Sequence, residues 1–386
     1  MLQRRGVATV CVVVALALVL SALTACGGSG SKEPIKIGVE GSITGQWSLE
    51  GIGFRNAVTM LAEQINAKGG LLGGRQIVIV EGDDRGDADE ATRVAERLAG
   101  EGVVVVIGAY NSDATATASA VYNQAGILHI TPSSTATGLT EKGYKRFMRT
   151  CFLDDRQGLF AAHQIVDTLG KKKVALVHDD SLYAKGLAEW TGRYLQELDG
   201  EVVYLGVITA GQRDFSEVVQ GIQNSQAEVV YFTAYWREGG LLVKQMRETG
   251  VTLQFMAGNA TNNPEFVQIA GVENAAGTLV TTEPLPQDLT NAEAKQFMAD
   301  YQAKYGQAPV SIWTLMAADA FRLWAYAVEQ TKSTDPAVVS DYLHKLTNYP
   351  GITGRIEGFD AKGDRLGAGH VLYRVGEQGQ FVLYTP

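Results

Sequence analysis

The feature that most constrains the fold is a strand–helix–strand pattern between Val103 and Leu139. Val103 to Ile107 is a short apolar run rich in β-branched residues, which is typical of a strand buried on both faces of a parallel sheet. A helix is predicted from Ala114 to Asn123, and a second short strand from Ile127 to Ile130. Strands that alternate with helices in this way indicate an open α/β sheet.

Each of these two strands is followed by a loop of small polar side chains. The loops contain Asn111, Ser112 and Asp113 after the first strand, and Ser133, Ser134 and Thr135 after the second. Ligands of open α/β sheets lie at the carboxyl ends of the strands, and helix N-termini favour anions. The loops therefore predict a site for an anion such as a carboxylate. The alternative interpretation is that these side chains only cap helices.

The N-terminus carries a predicted export signal. Arg4 and Arg5 precede an apolar run that ends at Leu23 and is shorter than the ~20 residues of a membrane span, so residues 1–25 are interpreted as a signal peptide. The sequence Leu-Thr-Ala-Cys that closes it resembles the lipobox of bacterial lipoproteins. This resemblance implies that Cys26 becomes the lipid-bearing first residue, at the start of a tether over residues 26–33. An uncleaved membrane anchor with an incidental cysteine is the alternative.

Composition and motifs exclude several classes of function. The net charge is −9, and no basic cluster is longer than Lys171 to Lys173, which argues against a nucleic-acid partner. Beyond the signal and Cys26 only Cys151 remains, so the mature chain has no intrachain disulfide. The five histidines form no signature with a serine or cysteine nucleophile, and His178 followed by two aspartates is better explained by a strand end than by a metal site. We predict no enzymatic activity, no metal and no cofactor.

Several motifs occur in the order found in one family of binding proteins. They are IKIGVEGSITG from Ile35, INAKGGLLGG from Ile65, TPSSTATGLTEKGYKRFMRT from Thr131, VALVHDDSLYAKGLA from Val174 and ITAGQRDFS from Ile208. Together they resemble type I periplasmic binding proteins, and in particular the leucine/isoleucine/valine-binding proteins of ABC importers. The resemblance implies an α/β fold of two Rossmann-like lobes with parallel sheets, which close over a ligand.

The resemblance also implies an order of segments along the chain. Three interlobe crossings are expected near Asp154, near Thr282 and between Gly354 and Phe359. The first lobe would then comprise residues 34–153 and 283–356. The second would comprise residues 154–282 and the terminal strands within 357–386.

The amino-acid site of this family can be carried over residue by residue. Ser112 occupies the position of the serine that binds the ligand carboxylate, and Ser133, Ser134 and Thr135 form the loop that helps to hold the carboxylate and the ammonium. Tyr183 and Tyr235 stand where two aromatic residues of the second lobe cover the ligand.

This sequence departs from the family pattern at positions that concern the ligand ammonium. Asn259 stands where leucine-binding relatives carry a glutamate, and an amide makes weaker hydrogen bonds to a cation than a carboxylate does. In the first loop Glu50 stands where relatives often carry an aromatic residue, and Trp47 lies three residues earlier. Glu50 either replaces the missing carboxylate or faces solvent. A cysteine pair found in some relatives is replaced by Gly86 and Asn111.

The expected function is that of an extracytoplasmic, lipid-anchored and monomeric solute-binding protein that delivers its ligand to an ABC permease. A branched-chain amino acid or a related small carboxylate is the expected ligand. The alternatives are a receptor for amides, urea-like compounds or aromatic acids, and a sensor that reports its ligand to a signalling partner.

Overall fold

The computed structural model describes residues 33–367 and 369–385. The predicted signal peptide, the lipidation site at Cys26 and all of the tether except its last residue lie outside the described residues. Within the described ranges, no helix has the length and apolar character needed to cross a membrane.

The first lobe is built on a five-stranded parallel sheet with the order β2-β1-β3-β4-β5. The central strand β3 is fully buried, as its unbroken apolar run predicts. The strands of this sheet are β1 (Ile35–Gly41), β2 (Ile77–Asp83), β3 (Val105–Ile107), β4 (Leu128–Thr131) and β5 (Phe147–Arg149).

The second lobe is built on a seven-stranded sheet with the order β14-β13-β10-β9-β8-β6-β7. Its strands are parallel from β10 to β7, whereas β13 and β14 pair antiparallel at the opposite edge. The strands are β6 (Lys173–Asp179), β7 (Glu201–Ile208), β8 (Val229–Phe232), β9 (Gln254–Ala257), β10 (Leu279–Thr282), β13 (Val371–Val375) and β14 (Phe381–Leu383). A separate hairpin is formed by β11 (Tyr349–Gly351) and β12 (Gly354–Ile356).

Helices cover both sheets. The longest are α1 and α11, and the second turn of α1 packs closely on the first turn of α11, where a Cβ added to Gly53 would fall 2.2 Å from Thr314 Oγ1. The helices are α1 (Ser48–Ala67), α2 (Ala88–Gly100), α3 (Ser112–Ala125), α4 (Asp154–His163), α5 (Leu182–Glu197), α6 (Ser216–Asn224), α7 (Trp236–Glu248), α8 (Pro264–Ala270), α9 (Val272–Ala275), α10 (Ala292–Tyr305), α11 (Ile312–Thr331) and α12 (Pro336–Leu343). The prediction of two parallel-sheet lobes is confirmed.

The two lobes contact one another at the carboxyl edges of their sheets. The backbone N–H of Leu182, at the start of α5, donates to the Asp113 carboxylate of α3 at 3.2 Å. Nearby, Trp190 Nε1 donates to the hydroxyl of Thr137 at 3.3 Å. The loops with hydroxyl side chains therefore lie at a cleft between two lobes that touch across it.

Candidate ligand-binding site

A small cavity lies in the cleft, and the empty space in it, part of which is open to solvent, is about 250 Å³. Its lining is contributed by both lobes and combines aromatic rings with hydroxyl and amide groups: Tyr110, Asn111, Ser112, Ser133, Thr135, Tyr183, Tyr235, Asn259, Ala260 and Trp313.

Ser112 lies at the first turn of α3, but it is not the residue that caps this helix. Asn111 is the N-cap, and its side-chain oxygen accepts a hydrogen bond from Ala114 N at 2.8 Å. The Ser112 hydroxyl is 1% exposed and has one weak contact, a hydrogen bond of 3.4 Å from Ala136 N. The capping interpretation of Ser112 is therefore wrong, and its hydroxyl borders the cavity at a helix N-terminus that favours a carboxylate.

The three hydroxyl residues of the second loop have different surroundings. Ser133 lines the cavity, but its hydroxyl donates to the Tyr110 carbonyl at 2.7 Å. Ser134 is not among the residues that line the cavity, and its hydroxyl pairs with that of Thr115 at 2.7 Å. Thr135 lines the cavity and is 2% exposed. Of the three, Thr135 has the side chain best placed to bind a ligand.

A buried arginine holds this loop in place. Arg149, at the end of β5, is fully buried and donates to the carbonyl oxygens of Ser134 at 2.8 Å and Ala136 at 3.1 Å. Its Nε lies 2.6 Å from a carboxylate oxygen of Asp364, which is 5% exposed. The loop that carries Thr135 therefore depends on a buried ion pair.

Aromatic rings from both lobes close the cavity. The Tyr235 ring lies 5.2 Å from that of Trp47, 6.4 Å from Tyr110 and 5.6 Å from Tyr183, measured between ring centroids. Trp47 lines the mouth of the cleft and is absent from the inner cavity. It packs on Gly86, where an added Cβ would fall 2.1 Å from its ring, so a glycine is required there.

Asp154, which the sequence marks only as a lobe boundary, has a carboxylate directly beside the site. It is fully buried at the start of α4, beside the Thr135 hydroxyl. Burial raises the pKa of Asp154 to about 7, although the Thr135 hydroxyl and the charge of Arg149 oppose the rise. The Asp154 charge in turn acts on the Tyr183 hydroxyl. A buried carboxylate therefore lies beside two residues that line the cavity.

Asn259 lines the cavity from the loop after β9, and a second buried carboxylate lies beside its amide. Glu283 is 1% exposed, and burial raises its pKa to about 7, whereas the nearby Asn259 amide opposes the rise. His370 Nε2 lies 3.7 Å from this carboxylate, but burial lowers the pKa of His370 to about 3, so the imidazole is neutral.

Glu50 is 2% exposed, so the expectation that it faces solvent is wrong. It does not line the inner cavity directly. It interacts with Ser311 and with the ring hydroxyl of Tyr110, a lining residue.

The mouth of the cleft is acidic. Its lining includes four carboxylates, those of Asp113, Asp179, Asp180 and Glu238, and no lysine or arginine among the described residues. The ten residues that line the inner cavity also include no basic side chain. Free anions are therefore disfavoured on the way into the site.

Three lining residues were missed by the sequence reasoning: Tyr110, Trp313 and Ala260. Tyr110 directly precedes the predicted loop and could have been included from its position alone. Ala260 directly follows the predicted Asn259, whereas Trp313 reaches the cavity from the start of α11, a segment that shows no local signal. Within the described ranges, no group of three or more His, Cys, Asp or Glu side chains could hold a metal ion.

Comparisons with known proteins agree with this architecture. The family model for periplasmic binding proteins matches residues 34–380. Leu/Ile/Val-binding protein homolog 1 of Brucella abortus is 34% identical over 357 residues, which cover 92% of this chain and 94% of the relative. Among solved structures, the leucine-binding protein LivK of Thermotoga maritima superposes with a TM-score of 0.84 at 28% identity, covering 91% of this chain and 98% of that one. The branched-chain amino acid transporter substrate-binding protein LivJ of Streptococcus pneumoniae, in complex with isoleucine, gives 0.81 at 30% identity, covering 90% and 98%.

Proposed function

The chain belongs to the periplasmic binding protein family, and from this premise we propose that it is the substrate-binding lipoprotein of an ABC importer for an amino acid. Members of this family bind the substrates of transporters and are not enzymes. The observation that carries the choice of ligand is the buried carboxylate of Asp154 directly beside Thr135, which lines the cavity together with Ser112.

These groups suit the two charges of an amino acid. The carboxylate would accept hydrogen bonds from Ser112 and from the first turn of α3, where the helix dipole is favourable. The ammonium would lie between Thr135 and Asp154, and this pairing would compensate the cost of the buried carboxylate. Asp154 thus supplies a charge that Asn259 does not. A plain acid such as a benzoate would leave Asp154 unpaired, and the acidic mouth also disfavours it.

The mechanism that follows is hinge closure. Tyr235 of the second lobe contacts Trp47 of the first at 5.2 Å, and Leu182 donates to Asp113 across the cleft. A ligand that binds both lobes favours the closed form by the free energy of contacts made only in that form. The closed protein would then dock on the permease, held at the membrane by a lipid on Cys26.

Isothermal titration calorimetry of the chain from Ser31 onward tests this function. The panel contains leucine, isoleucine and valine, their deaminated acids, small amides and benzoate. We expect binding by amino acids and none by the matched acids, because only an ammonium pairs with Asp154. Binding of the acids without binding of any amino acid would contradict the proposal.

A further inference from the structure

The buried carboxylate of Glu283 is not used by the ligand contacts proposed above. Glu283 directly follows β10, and the neighbouring parallel strand β9 leads into the loop that carries Asn259. Both loops therefore leave the sheet at the same edge. Glu283 is 1% exposed and Asn259 is 3% exposed, but only Asn259 lines the cavity. Asn259 thus lies in contact with the ligand space, and Glu283 lies beside its amide.

The two side chains favour one orientation of the amide. The Asn259 side chain opposes the rise in the pKa of Glu283, which is the effect of a hydrogen-bond donor on a carboxylate. An ionised carboxylate can only accept hydrogen bonds, so it favours the NH2 end of the amide. The Nδ2 atom of Asn259 is indeed buried. Since Oδ1 and Nδ2 diverge from the same planar carbon, Oδ1 is the atom that Asn259 presents to the cavity.

This oxygen lies on the side of the cavity proposed for the ligand ammonium. The backbone N–H of Ala260, the next residue, donates to the Tyr183 hydroxyl at 3.3 Å. The charge of Asp154, the proposed partner of the ammonium, acts on the same hydroxyl. An amide oxygen at this place can accept a hydrogen bond from an ammonium, whereas an amide NH2 cannot.

The groups around Glu283 leave its charge poorly compensated. His370 Nε2 lies 3.7 Å away, but this imidazole is neutral. Arg365 favours the ionised form of Glu283, whereas burial has the larger effect and raises its pKa to about 7. The charge of Asp154 also interacts with Glu283. A cation in the cavity would favour ionisation of Glu283, so ammonium binding and the orientation of the amide would support one another.

We propose that Glu283 is a positioning residue, whose carboxylate holds the Asn259 amide so that Oδ1 faces the ligand ammonium. Without this carboxylate the amide can turn its NH2 group towards the cavity, where it would repel a cation. This inference rests on the proposed function and adds a residue on which the preference for an ammonium depends.

A double-mutant cycle measured by calorimetry tests the inference, with the amino acid that the wild-type protein binds most tightly as the probe. Measurements at about pH 8 keep Glu283 largely ionised. Glu283→Gln preserves the shape but offers a donor as well as an acceptor to the Asn259 amide. It should weaken binding about tenfold, since a hydrogen bond to a charged group is lost.

The same substitution should have the opposite effect when Asn259→Asp is already present. A carboxylate presents an oxygen to the ligand in either orientation, so nothing remains for Glu283 to orient. Two adjacent carboxylates also disfavour each other's ionisation, and Glu283→Gln removes this repulsion. The double variant should therefore bind the probe more tightly than Asn259→Asp alone. Glu96→Gln, at an exposed position on α2, is the control for the loss of a charge and should change nothing.

Two results would overturn the inference while leaving the proposed function intact. One is unchanged affinity in Glu283→Gln. The other is an equal loss of affinity with and without Asn259→Asp, which would indicate a structural role. Urea denaturation checks that each variant is folded. If Glu283→Gln alone does not fold, the comparison of Asn259→Asp with the double variant decides, and weaker binding by the double variant refutes the inference. If the wild-type protein binds no amino acid, the proposed function itself fails.

Discussion

Replacing Arg149 by methionine should destabilise the protein severely, because it leaves Asp364 buried without its cation. Arg149 is fully buried and Asp364 is 5% exposed, with 2.6 Å between their charged groups. Removing one partner of a buried pair typically costs about 3–5 kcal/mol. The donors to the carbonyl oxygens of Ser134 and Ala136 are lost as well, so Thr135 should also be displaced and ligand affinity should fall.

Urea denaturation of the purified chain, followed by both tryptophan fluorescence and circular dichroism, measures this effect. Coincident transitions would justify the free energy of unfolding that is derived from them. The double variant Arg149→Met with Asp364→Asn removes both charges, so it should recover a substantial part of the stability lost by Arg149→Met. A loss below about 1 kcal/mol in the single variant would refute the assigned role of the pair. The absence of any recovery of stability in the double variant would also refute this role.

Three further predictions concern ligand binding, the pH dependence of stability and the membrane anchor. Ser112→Ala should weaken ligand binding by about 1–3 kcal/mol, roughly 5- to 150-fold, because the carboxylate loses a donor; Ser119→Ala in the same helix is the control, and equal affinities in calorimetry would reject the assignment. Burial raises the pKa of Asp154 in the folded state to about 7, well above the ordinary value for an aspartate of about 3.9, so its contribution to stability is present below about pH 4 and is lost as the pH rises through 7. Asp154→Asn should therefore flatten the fall in unfolding free energy between pH 4 and pH 8 by an amount on the order of 4 kcal/mol, and a slope equal to that of the wild-type protein would contradict the raised pKa. Cys26→Ala should abolish incorporation of labelled palmitate and release the protein from the membrane fraction, and continued labelling would place the lipid elsewhere.

Local pattern was sufficient to predict the parallel α/β sheets, whereas the arrangement in two lobes was predicted from the family resemblance. Short β-branched runs such as Val105–Ile107 became buried parallel strands, because a strand covered on both faces has no polar side to display. Boundaries were less accurate. The helix predicted to begin at Ala114 begins at Ser112, since Asn111 caps it and makes the preceding turn helical. Side-chain oxygens in loops therefore determine where helices begin, and hydrophobic periodicity alone does not detect these capping residues.

The candidate site could be predicted where it lies in the two loops of small polar residues, because such residues directly after a strand are themselves a signal. Ser112 and Thr135 follow strands in the expected way and line the cavity. Ser134 follows the same pattern, but its hydroxyl pairs with Thr115. No local feature distinguishes Ser134 from Thr135. The direction of each side chain is set by the hydrogen bonds that Arg149 donates to the loop carbonyls, and these bonds join residues about fifteen positions apart.

The charge balance of the cavity could not be read from the sequence for a related reason. A carboxylate in the first turn of a helix is usually exposed, so Asp154 and Glu50 both resembled ordinary helix starts. Their burial depends on segments that are distant in the chain, such as the start of α11 over Glu50. Asn259 had indicated that a negative charge was missing from the family's ammonium position. The structure instead has two buried carboxylates, those of Asp154 and Glu50, behind residues that line the cavity. The loss of one family residue is therefore evidence about the substrate only when the whole cavity wall is considered.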